Sequence, residues 1–524
     1  MTQVNDFFRS RIDQMIDLRL PLPVLASRMP WQEIEASLAH NFARKVKAGK
    51  QVEDIGLFGP SLQVVGGGVS NAGRPRLPIR LMVSLLYLKH AYDESDEGLC
   101  ERWADSPSWQ YFSGLDYFEN RLPCDPTLLV KFRKLIGEEG VEELLSFTVA
   151  AAHNMKFVSK KQMETVVVDS TVQHKAVAHP TDSRLLEVAR HKLVELAKEC
   201  GLSLKQTFVK EAKQLTRRAG GYAHAKQFRR MRKVINRQRT IVGRLLREIQ
   251  RQVANQVNTQ ITSQVATLSA ALKGMITEAL AKAQRLMTQT KHRKSKGVPK
   301  LYSWHAPETE CISKGKARTP YEFGVKVGIT STIKGNLILG ARSFPNNPYD
   351  GHTLNEQLEQ ASILSNSTIK NVYVDLGYRG VDQDNPGVSI KHRGKYKSLT
   401  EQERKLLKRR QAIEPIIGHL KSDNRMNRCH LKGPEGDAIH AVLCAAGYNI
   451  RWLLRMIRKK GLGLYLASIK VLGLGRLLAK VTEFIQAEAM SRDRNIVIVA
   501  YMNKSGSTTY YGRRLGPSRV WLKK

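Results

Sequence analysis

Two short apolar stretches, each followed by an aspartate, constrain the fold of this chain more than any other feature. Residues 166–168 are three valines that run into Asp169, and residues 372–374 (VYV) run into Asp375. Such runs predict buried strands, and ligands of open α/β sheets bind beyond the carboxyl ends of strands. We therefore expect both carboxylates at one site, at the ends of their strands. Either aspartate alone would more simply be a turn former or a helix cap.

The charge of the chain indicates a polyanionic partner. Its 524 residues include 85 Lys and Arg against 47 Asp and Glu, a formal net charge of +38. Basic side chains set against phosphates release counterions and strengthen binding to nucleic acid. The alternatives are a generally basic protein and one that binds an anionic membrane surface. We find neither the roughly 18 apolar residues that span a bilayer nor a signal peptide, so we expect a cytoplasmic protein and no membrane.

The cysteines do not form a metal-binding or disulfide pattern in the sequence. None of the six belongs to a Cys-x-x-Cys pair, which argues against a disulfide framework and a zinc ribbon. Cys311 and the neighbours Cys429 and His430 lack two further ligands at zinc spacing. The sequence therefore predicts no structural zinc.

The order of predicted elements is strand, helical segment, two strands, helix, strand and helix, which indicates an α/β domain with an all-helical insertion. A helical region precedes it, in which Asp125 and Pro126 are suited to start a helix. A loop rich in Gly, Pro and Asn is expected at residues 64–78. We divide the chain into a helical N-terminal domain (1–150), a catalytic core (160–182 and 300–455), a basic helical insertion (183–299) and a C-terminal extension without a functional motif (456–524).

Within the insertion, apolar residues recur at spacings of three and four and predict a helix with one buried face. This seam consists of Phe228, Met231, Ile235, Val242, Leu245 and Ile249, with Gln238 as its polar member. Basic residues lie between them, and we expect a DNA-facing helical arm that includes Arg229, Arg230, Lys233 and Arg237. The alternative is a basic hairpin with a structural role only.

A long predicted helix, opened by the capping box of Thr400 and Glu403, supplies a third carboxylate. At 3.6 residues per turn, Arg410, Glu414 and Lys421 share one side of this helix. Its neighbouring apolar stripe is expected to pack on the sheet, which brings Glu414 close to the strand ends. An Arg–Glu pair on a solvated helix face would explain the same spacing.

Three carboxylates around a polar site suit Mg²⁺ or Mn²⁺, which prefer oxygen ligands. Two such ions could activate an attacking water or hydroxyl and stabilise the leaving oxygen of a phosphodiester. Other acids and histidines in polar loops compete for these roles and are weaker candidates, because loop Asp and solvent-facing His are common. They are Asp182, Asp350, His174, His179 and His352.

Ordered motifs from residue 60 to residue 455 resemble the bacterial insertion-sequence transposases of the IS-five type, which are DDE enzymes built on a ribonuclease H-like core. They include DSTVQHKAVAHPTDSRLL, NPYDGHTL, VYVDLGYRG and RRQAIEPIIGHLKSDNRMNRCHLKG. The resemblance implies an α/β, ribonuclease H-like catalytic core interrupted by the helical insertion. It also implies that the N-terminal domain recognises transposon ends.

The same resemblance assigns roles to individual residues. Asp169, Asp375 and Glu414 would form the acidic triad that binds the metal ions. Arg410 and Lys421 match the family's motif around its glutamate and would hold DNA phosphates, whereas a leucine, Leu407, stands where the family has a tyrosine. In the loop after the second aspartate, we also expect DNA contacts from Tyr378 and Arg379.

The function implied is Mg²⁺-dependent cleavage at transposon ends followed by transfer of the freed 3′-hydroxyl into target DNA. The partners would be double-stranded DNA, as terminal inverted repeats and target, and at least one further copy of the chain. The setting would be the nucleoid of a bacterium. Two alternatives stay open: an inactive or domesticated DNA-binding protein, and a metal-dependent nuclease that cuts without joining.

Overall fold

The structure is a computed structural model that describes residues 11–42, 50–56, 59–65, 76–260, 270–292, 300–313, 320–471, 496–502 and 508–514. Several predictions lie partly outside these residues. They are the loop at 64–78, of which 66–75 is not described, the end of the insertion at 293–299, and much of the C-terminal extension.

Sixteen α-helices and ten β-strands lie in the described residues. The helices are α1 Ile12–Met15, α2 Pro21–Arg28, α3 Trp31–Leu38, α4 Ile79–Ala91, α5 Asp96–Asp105, α6 Pro107–Phe112, α7 Pro126–Asn154, α8 Lys160–Met163, α9 Asp182–Glu199, α10 Val209–His224, α11 Phe228–Gln260, α12 Ala270–Lys291, α13 Leu354–Ser365, α14 Glu401–Arg409, α15 Ile413–Asp423 and α16 Gly433–Val471. The strands are β1 Lys50–Gly56, β2 Gly59–Val65, β3 Thr165–His174, β4 Glu310–Ser313, β5 Tyr321–Thr332, β6 Ile338–Phe344, β7 Asn371–Tyr373, β8 Ser389–Lys391, β9 Ile496–Met502 and β10 Thr508–Arg514. Among the residues described, we find no helix with the length and apolar character needed to cross a membrane.

A six-stranded sheet forms the centre of the fold. Five strands follow the order β4, β5, β3, β7 and β8. The sixth strand, β6, pairs with the part of β5 that follows its pairing with β4. β3 is antiparallel to β5 over nine residue pairs but parallel to β7 over only three, Thr165 to Val167 opposite Asn371 to Tyr373. Beyond Val167 this edge of β3 has no neighbouring strand among the described residues until His174, whose carbonyl accepts from the Cys429 N–H at 2.8 Å.

Alternation along β3 sends successive side chains to opposite faces of the sheet. Val166 and Val168 are 0% exposed and belong to the main core, whereas Val167 belongs to a smaller cluster with Leu407 and Ile413. That second cluster packs the segment of α14 and α15 against the other face. The three valines therefore pack β3 against a separate hydrophobic cluster on each face of the sheet.

The N-terminal helices share one core with the sheet. A single buried cluster extends from Leu22 on α2 to Leu453 on α16, and α16 packs against α2, α4, α7 and β6. Residue 150, where we placed the end of the N-terminal domain, lies inside α7. The predicted start of this helix is confirmed, because the Asp125 carboxylate accepts a hydrogen bond of 2.8 Å from the Thr127 N–H.

Four helices, α9 to α12, lie between β3 and β4 and have a core of their own. Most of the predicted seam is buried there: Ile235, Gln238, Val242, Leu245 and Ile249. The Gln238 amide donates to the Thr216 hydroxyl at 3.2 Å. This polar member of the seam therefore forms a hydrogen bond between α11 and α10. Phe228 is 51% exposed, and its predicted burial was wrong because it is the first residue of α11.

Replacement of Asn449 should destabilise the junction between α16 and the sheet. Its buried amide donates to the Ile338 carbonyl at 2.8 Å and to the Thr148 hydroxyl at 2.9 Å, and it accepts from the Ile338 N–H at 3.1 Å. Asn449→Ala leaves these groups buried and unpaired, which should lower the free energy of unfolding by about 2 kcal/mol. Urea denaturation measures this difference, and exposed Asn427→Ala is the control that should stay near wild type. Equal midpoints for both variants would contradict the assignment.

Candidate active site

Asp169 lies within β3, five residues before its end, so the prediction that it terminates a strand was wrong. The apolar run ends at Asp169, but backbone pairing with β5 continues to His174. Asp169 nevertheless lies two residues beyond the last pair with β7, where that edge of β3 is open. By alternation it shares the face of Val167, which is the face covered by α14 and α15.

Asp375 follows the last residue of β7 by two positions and caps a short 3₁₀ turn. Its Oδ1 accepts a hydrogen bond of 2.7 Å from the Leu376 N–H, and its side chain is 56% exposed. In Asp169 the corresponding oxygen accepts from the Ser170 N–H at 2.8 Å. Because β3 and β7 are parallel, both carboxylates leave the sheet at the same end, and each is oriented by the next backbone N–H.

One guanidinium brings the two carboxylates together. Arg410 Nη1 lies 3.5 Å from Asp169 Oδ2, and Nη2 lies 3.8 Å from Asp375 Oδ1. The side chains of Arg410 and Asp169 are 11% and 22% exposed, whereas the Asp375 end of the bridge is open to solvent at 56%. The structure therefore places Asp169 and Asp375 as neighbours around one positive charge.

The segment that carries Glu414 is three pieces instead of one long helix. α14 ends at Arg409, a 3₁₀ turn follows, and α15 begins at Ile413. The break has a physical cause: Pro415 has no N–H to bond to the carbonyl four residues earlier, at Gln411. The predicted capping box at the start of α14 is confirmed, because the Thr400 N–H donates to the Glu403 carboxylate and the Glu403 N–H to the Thr400 hydroxyl.

Glu414 lies in the first turn of α15 with an exposed side chain. Buried Ile416 and Leu420 hold this helix on the sheet, and α15 packs against β3. Among the described residues Glu414 has neither a hydrogen bond nor an ion pair. Its place near the two aspartates is therefore inferred from the sequence, because Glu414 follows Arg410 by four residues.

Leu407 fills the place where a tyrosine was expected. It is 7% exposed and packs in the cluster that contains Val167, Tyr373 and Ile413. The leucine thus helps to fix α14 on the strands that carry Asp169 and Asp375. In this chain the position contributes packing.

Lys421 lies beside a buried carboxylate. Its Nζ is 3.9 Å from Glu322 Oε2, and His174 Nε2 is 3.7 Å from the same oxygen. The Lys421 side chain is 21% exposed. The Lys421 side chain is therefore partly accessible to solvent while it contacts Glu322 on β5.

The two residues predicted to bind DNA after Asp375 differ in accessibility. Tyr378 is 1% exposed, and burial raises the pKa of its phenol. The expectation that Tyr378 contacts DNA is therefore wrong for this structure, because its apolar ring is part of the main core. Arg379 is exposed and stays a candidate.

In the insertion, Arg229, Arg230 and Lys233 are exposed on α11. Arg237 is engaged by Glu211 on α10, with Nε and Nη2 at 2.6 and 3.0 Å from its two oxygens. Sequence reasoning missed a basic cavity of about 580 Å³ further along α11, to which distant residues contribute. It is lined by Lys205, Gln206, Phe208, Arg244, Arg247, Glu248 and Arg251.

The competing acids and histidines have other contacts. Asp350 accepts an ion-pair contact of 2.9 Å from Lys326, and Asp182 is the first residue of α9. The three histidines lie against Glu322, Phe323 and Tyr349, and they are His174, His179 and His352 respectively. None of these contacts includes Asp169 or Asp375.

The donor set around Arg410 fits a divalent cation that prefers oxygen. Two carboxylates converge on a positively charged group, and a third carboxylate, Glu414, is exposed one turn away. Hard carboxylate oxygens of this kind suit Mg²⁺ or Mn²⁺, and the side chains contain no soft ligand that would favour another metal. Asp169, Asp375 and Glu414 are the residues that would hold it.

Two family models match this chain on either side of the insertion. Residues 10–135 match a family described as "Transposase domain (DUF772)", and residues 302–450 match one described as "Transposase DDE domain". Asp375, Arg410 and Glu414 lie in the second match. The six-stranded sheet is consistent with the ribonuclease H-like core expected for such a domain.

A curated relative covers less of the chain but nearly all of its own length. It is the "Uncharacterized protein ORF8 in nfe locus" of Rhizobium meliloti, 40% identical over 224 residues, which are 43% of this chain and 95% of that protein. No solved structure matches the chain significantly. With two transposase domains in order along the chain, these matches support a DDE transposase of an insertion sequence.

Proposed function

We propose that this DNA transposase cleaves phosphodiesters at the ends of its element in a Mg²⁺-dependent reaction and joins the freed 3′-hydroxyl to target DNA. The observation that carries the proposal is the Arg410 bridge, which holds Asp169 and Asp375 within 3.8 Å of one guanidinium. We expect the reaction in the bacterial cytoplasm, in association with the nucleoid. Because two ends must be joined, a homodimer or larger oligomer is expected.

The proposed reaction consists of two in-line displacements. In the first, a water oxygen attacks the phosphorus, the bond to the 3′-oxygen breaks, and a 3′-hydroxyl and a 5′-phosphate result. In the second, that 3′-hydroxyl loses its proton and attacks a target phosphodiester, whose own 3′-oxygen leaves and takes up a proton. Bound Mg²⁺ would polarise the phosphate and favour deprotonation of the attacking oxygen.

The protein's part is to hold charge in place. Asp169 and Asp375 are oriented by the hydrogen bonds of Ser170 and Leu376, so each presents a fixed carboxylate at the open edge of β3. Glu414 would complete the metal ligands from α15. Arg410 would exchange its two carboxylates for a phosphate oxygen when DNA binds, because a guanidinium suits both partners.

The insertion supplies a surface for the DNA backbone. A group of basic residues lies on the side of α11 opposite its buried seam. At 100° per residue, these residues fall within a sector of roughly 100° around the helix axis. They are Arg230, Lys233, Arg237, Arg244, Arg247 and Arg251. The row is about 31 Å long, since each residue advances 1.5 Å. That length corresponds to almost one turn of double-stranded DNA.

Asp375→Asn should abolish chemistry and spare DNA binding. Loss of one charged metal ligand should remove several kcal/mol of transition-state stabilisation, which corresponds to about a thousandfold or more in rate. The assay uses Mg²⁺ and a plasmid with the DNA that flanks the coding region on both sides, and gel analysis separates cut from joined products. Exposed Asp384→Asn in the same region is the control and should keep wild-type rates.

The same assay separates the proposal from its alternatives. Joined products from the wild type support a transposase, cut products alone support a nuclease, and binding alone supports an inactive DNA-binding protein. Full joining by Asp375→Asn would show that the site is elsewhere.

Arg410→Gln should slow cleavage by about a hundredfold while the dissociation constant for DNA changes little. Arg410 is one of 85 basic residues, so its share of binding is small, but it lies where the phosphate must be held. Lys408→Gln, an exposed residue two positions earlier, is the control of equal charge change. Single-turnover rates and binding titrations on the same DNA give the two quantities. A change in affinity alone would contradict this role.

Replacement of three arginines at the basic cavity should lower the affinity for DNA and make that affinity less dependent on salt concentration. Each lost phosphate contact lowers the slope of log K against log salt by about 0.9 for double-stranded DNA, so Arg244, Arg247 and Arg251 to Ala should lower it by about 2 to 3. The matched control replaces exposed Lys213, Arg217 and Arg218 on α10 with Ala. Binding titrations at several salt concentrations decide, and an equal loss in both triple variants would show that only net charge matters.

A further inference from the structure

Three ligand-type side chains meet deep in the main core, at the contact between α4 and α16. His90 lies in the last turn of α4, and His440 and Cys444 lie four residues apart on one face of α16. Their exposures are 2%, 5% and 0%, and one potential ligand atom from each lies within 4.8 Å of the others. The three residues do not belong to the acidic site.

Hydrogen bonds set which nitrogen of each imidazole carries the proton. His90 Nδ1 lies 3.1 Å from the Leu86 carbonyl oxygen, and His440 Nε2 lies 3.0 Å from that of Arg425. A carbonyl only accepts, so these nitrogens donate, and the opposite nitrogens carry lone pairs without protons. Histidines that bind metals usually make this kind of hydrogen bond with the second nitrogen.

We propose that His90 Nε2, His440 Nδ1 and Cys444 Sγ bind one zinc ion that connects α4 to α16. Imidazole and thiolate ligands suit Zn²⁺, and spacing of four residues puts two ligands on one face of a helix. Zinc in tetrahedral geometry keeps its ligand atoms about 3.3 to 3.6 Å apart, so the ligand atoms would draw together from separations of up to 4.8 Å. A water molecule takes the fourth position.

The charges around the cluster are compatible with this ion. Burial lowers the pKa of His440 to about 3 and lowers that of His90 well below its usual range. Burial raises the pKa of the Cys444 thiol, so formation of the Zn–S bond must displace its proton. The nearby cations Lys89 and Arg425 have carboxylate partners of their own, Asp96 at 2.7 Å and Asp93 at 3.5 Å.

The helices α4 and α16 approach each other closely at this contact. A Cβ added at Gly447, three residues after Cys444, would lie 2.5 Å from the His90 backbone and side chain. The Asn424 amide donates to the His90 carbonyl at 2.8 Å, and Arg425 accepts from His440. Both residues directly follow α15, so a zinc ion here would also hold the end of the helix that carries Glu414. Plain packing of neutral histidines explains their burial, but it does not explain why a thiol meets both rings.

Metal analysis of the purified full-length chain tests the proposal. Protein prepared under reducing conditions, incubated with zinc chloride and passed through a desalting column should contain about one zinc per chain. Cys444→Ser and His440→Gln should lower this value to near zero. His430→Gln, an exposed histidine in the preceding segment, is the matched control and should keep it, and so should Asp375→Asn.

Cobalt provides a second measurement that does not depend on how the variants fold. The wild type loaded with Co²⁺ should show a sulfur-to-metal charge-transfer band, because the ligand set contains a thiolate. Absence of this band, or less than about a fifth of a zinc per chain in the wild type, would overturn the proposal. Full zinc content in Cys444→Ser would place the ion elsewhere and overturn it as well. Both readouts are independent of cleavage, so their failure leaves the proposed reaction untouched.

Discussion

The fold depends on the three buried valines of β3, because their alternation fixes what lies on each face of the sheet. Val166 and Val168 face the core that the sheet shares with the N-terminal helices, and Val167 faces the cluster of Leu407 and Ile413. Asp169 continues this alternation onto the face of Arg410, whose Nη1 lies 3.5 Å from its carboxylate. A shift of β3 by one residue would exchange the faces and move the carboxylate away from Arg410, so the register of one strand determines whether this pair forms.

Sequence reasoning succeeded where the pattern was long or chemically explicit. The strand at Tyr321–Thr332, the capping box of Thr400 and Glu403 and the buried seam of α11 follow from periodicity and local hydrogen bonding, which act over short distances. The sequence also indicated that Asp169 and Asp375 would be neighbours. Their joint contact with Arg410 agrees with that expectation, although the position of Asp169 inside its strand does not.

The missed features depend on contacts between distant residues. Strands β4 and β8 are four and three residues long, too short for periodicity to reveal, and exist because β5 and β7 pair with them. Tyr378 follows Asp375 in a polar, glycine-containing loop, yet the fold turns its ring into the core. His90 and His440 are 350 positions apart by number, and no local spacing could have linked them to Cys444.

The shared core of the N-terminal helices and the sheet has a mechanical consequence. A transposase in which the two parts moved independently could grip a DNA sequence and cut at a variable distance from it. Here α16 packs against α2, α4, α7 and β6. The N-terminal helices and the sheet that carries the carboxylates therefore share one hydrophobic core. If the helical part binds DNA, as the resemblance leads us to expect, the bound DNA would meet the carboxylates at a fixed number of base pairs from that contact.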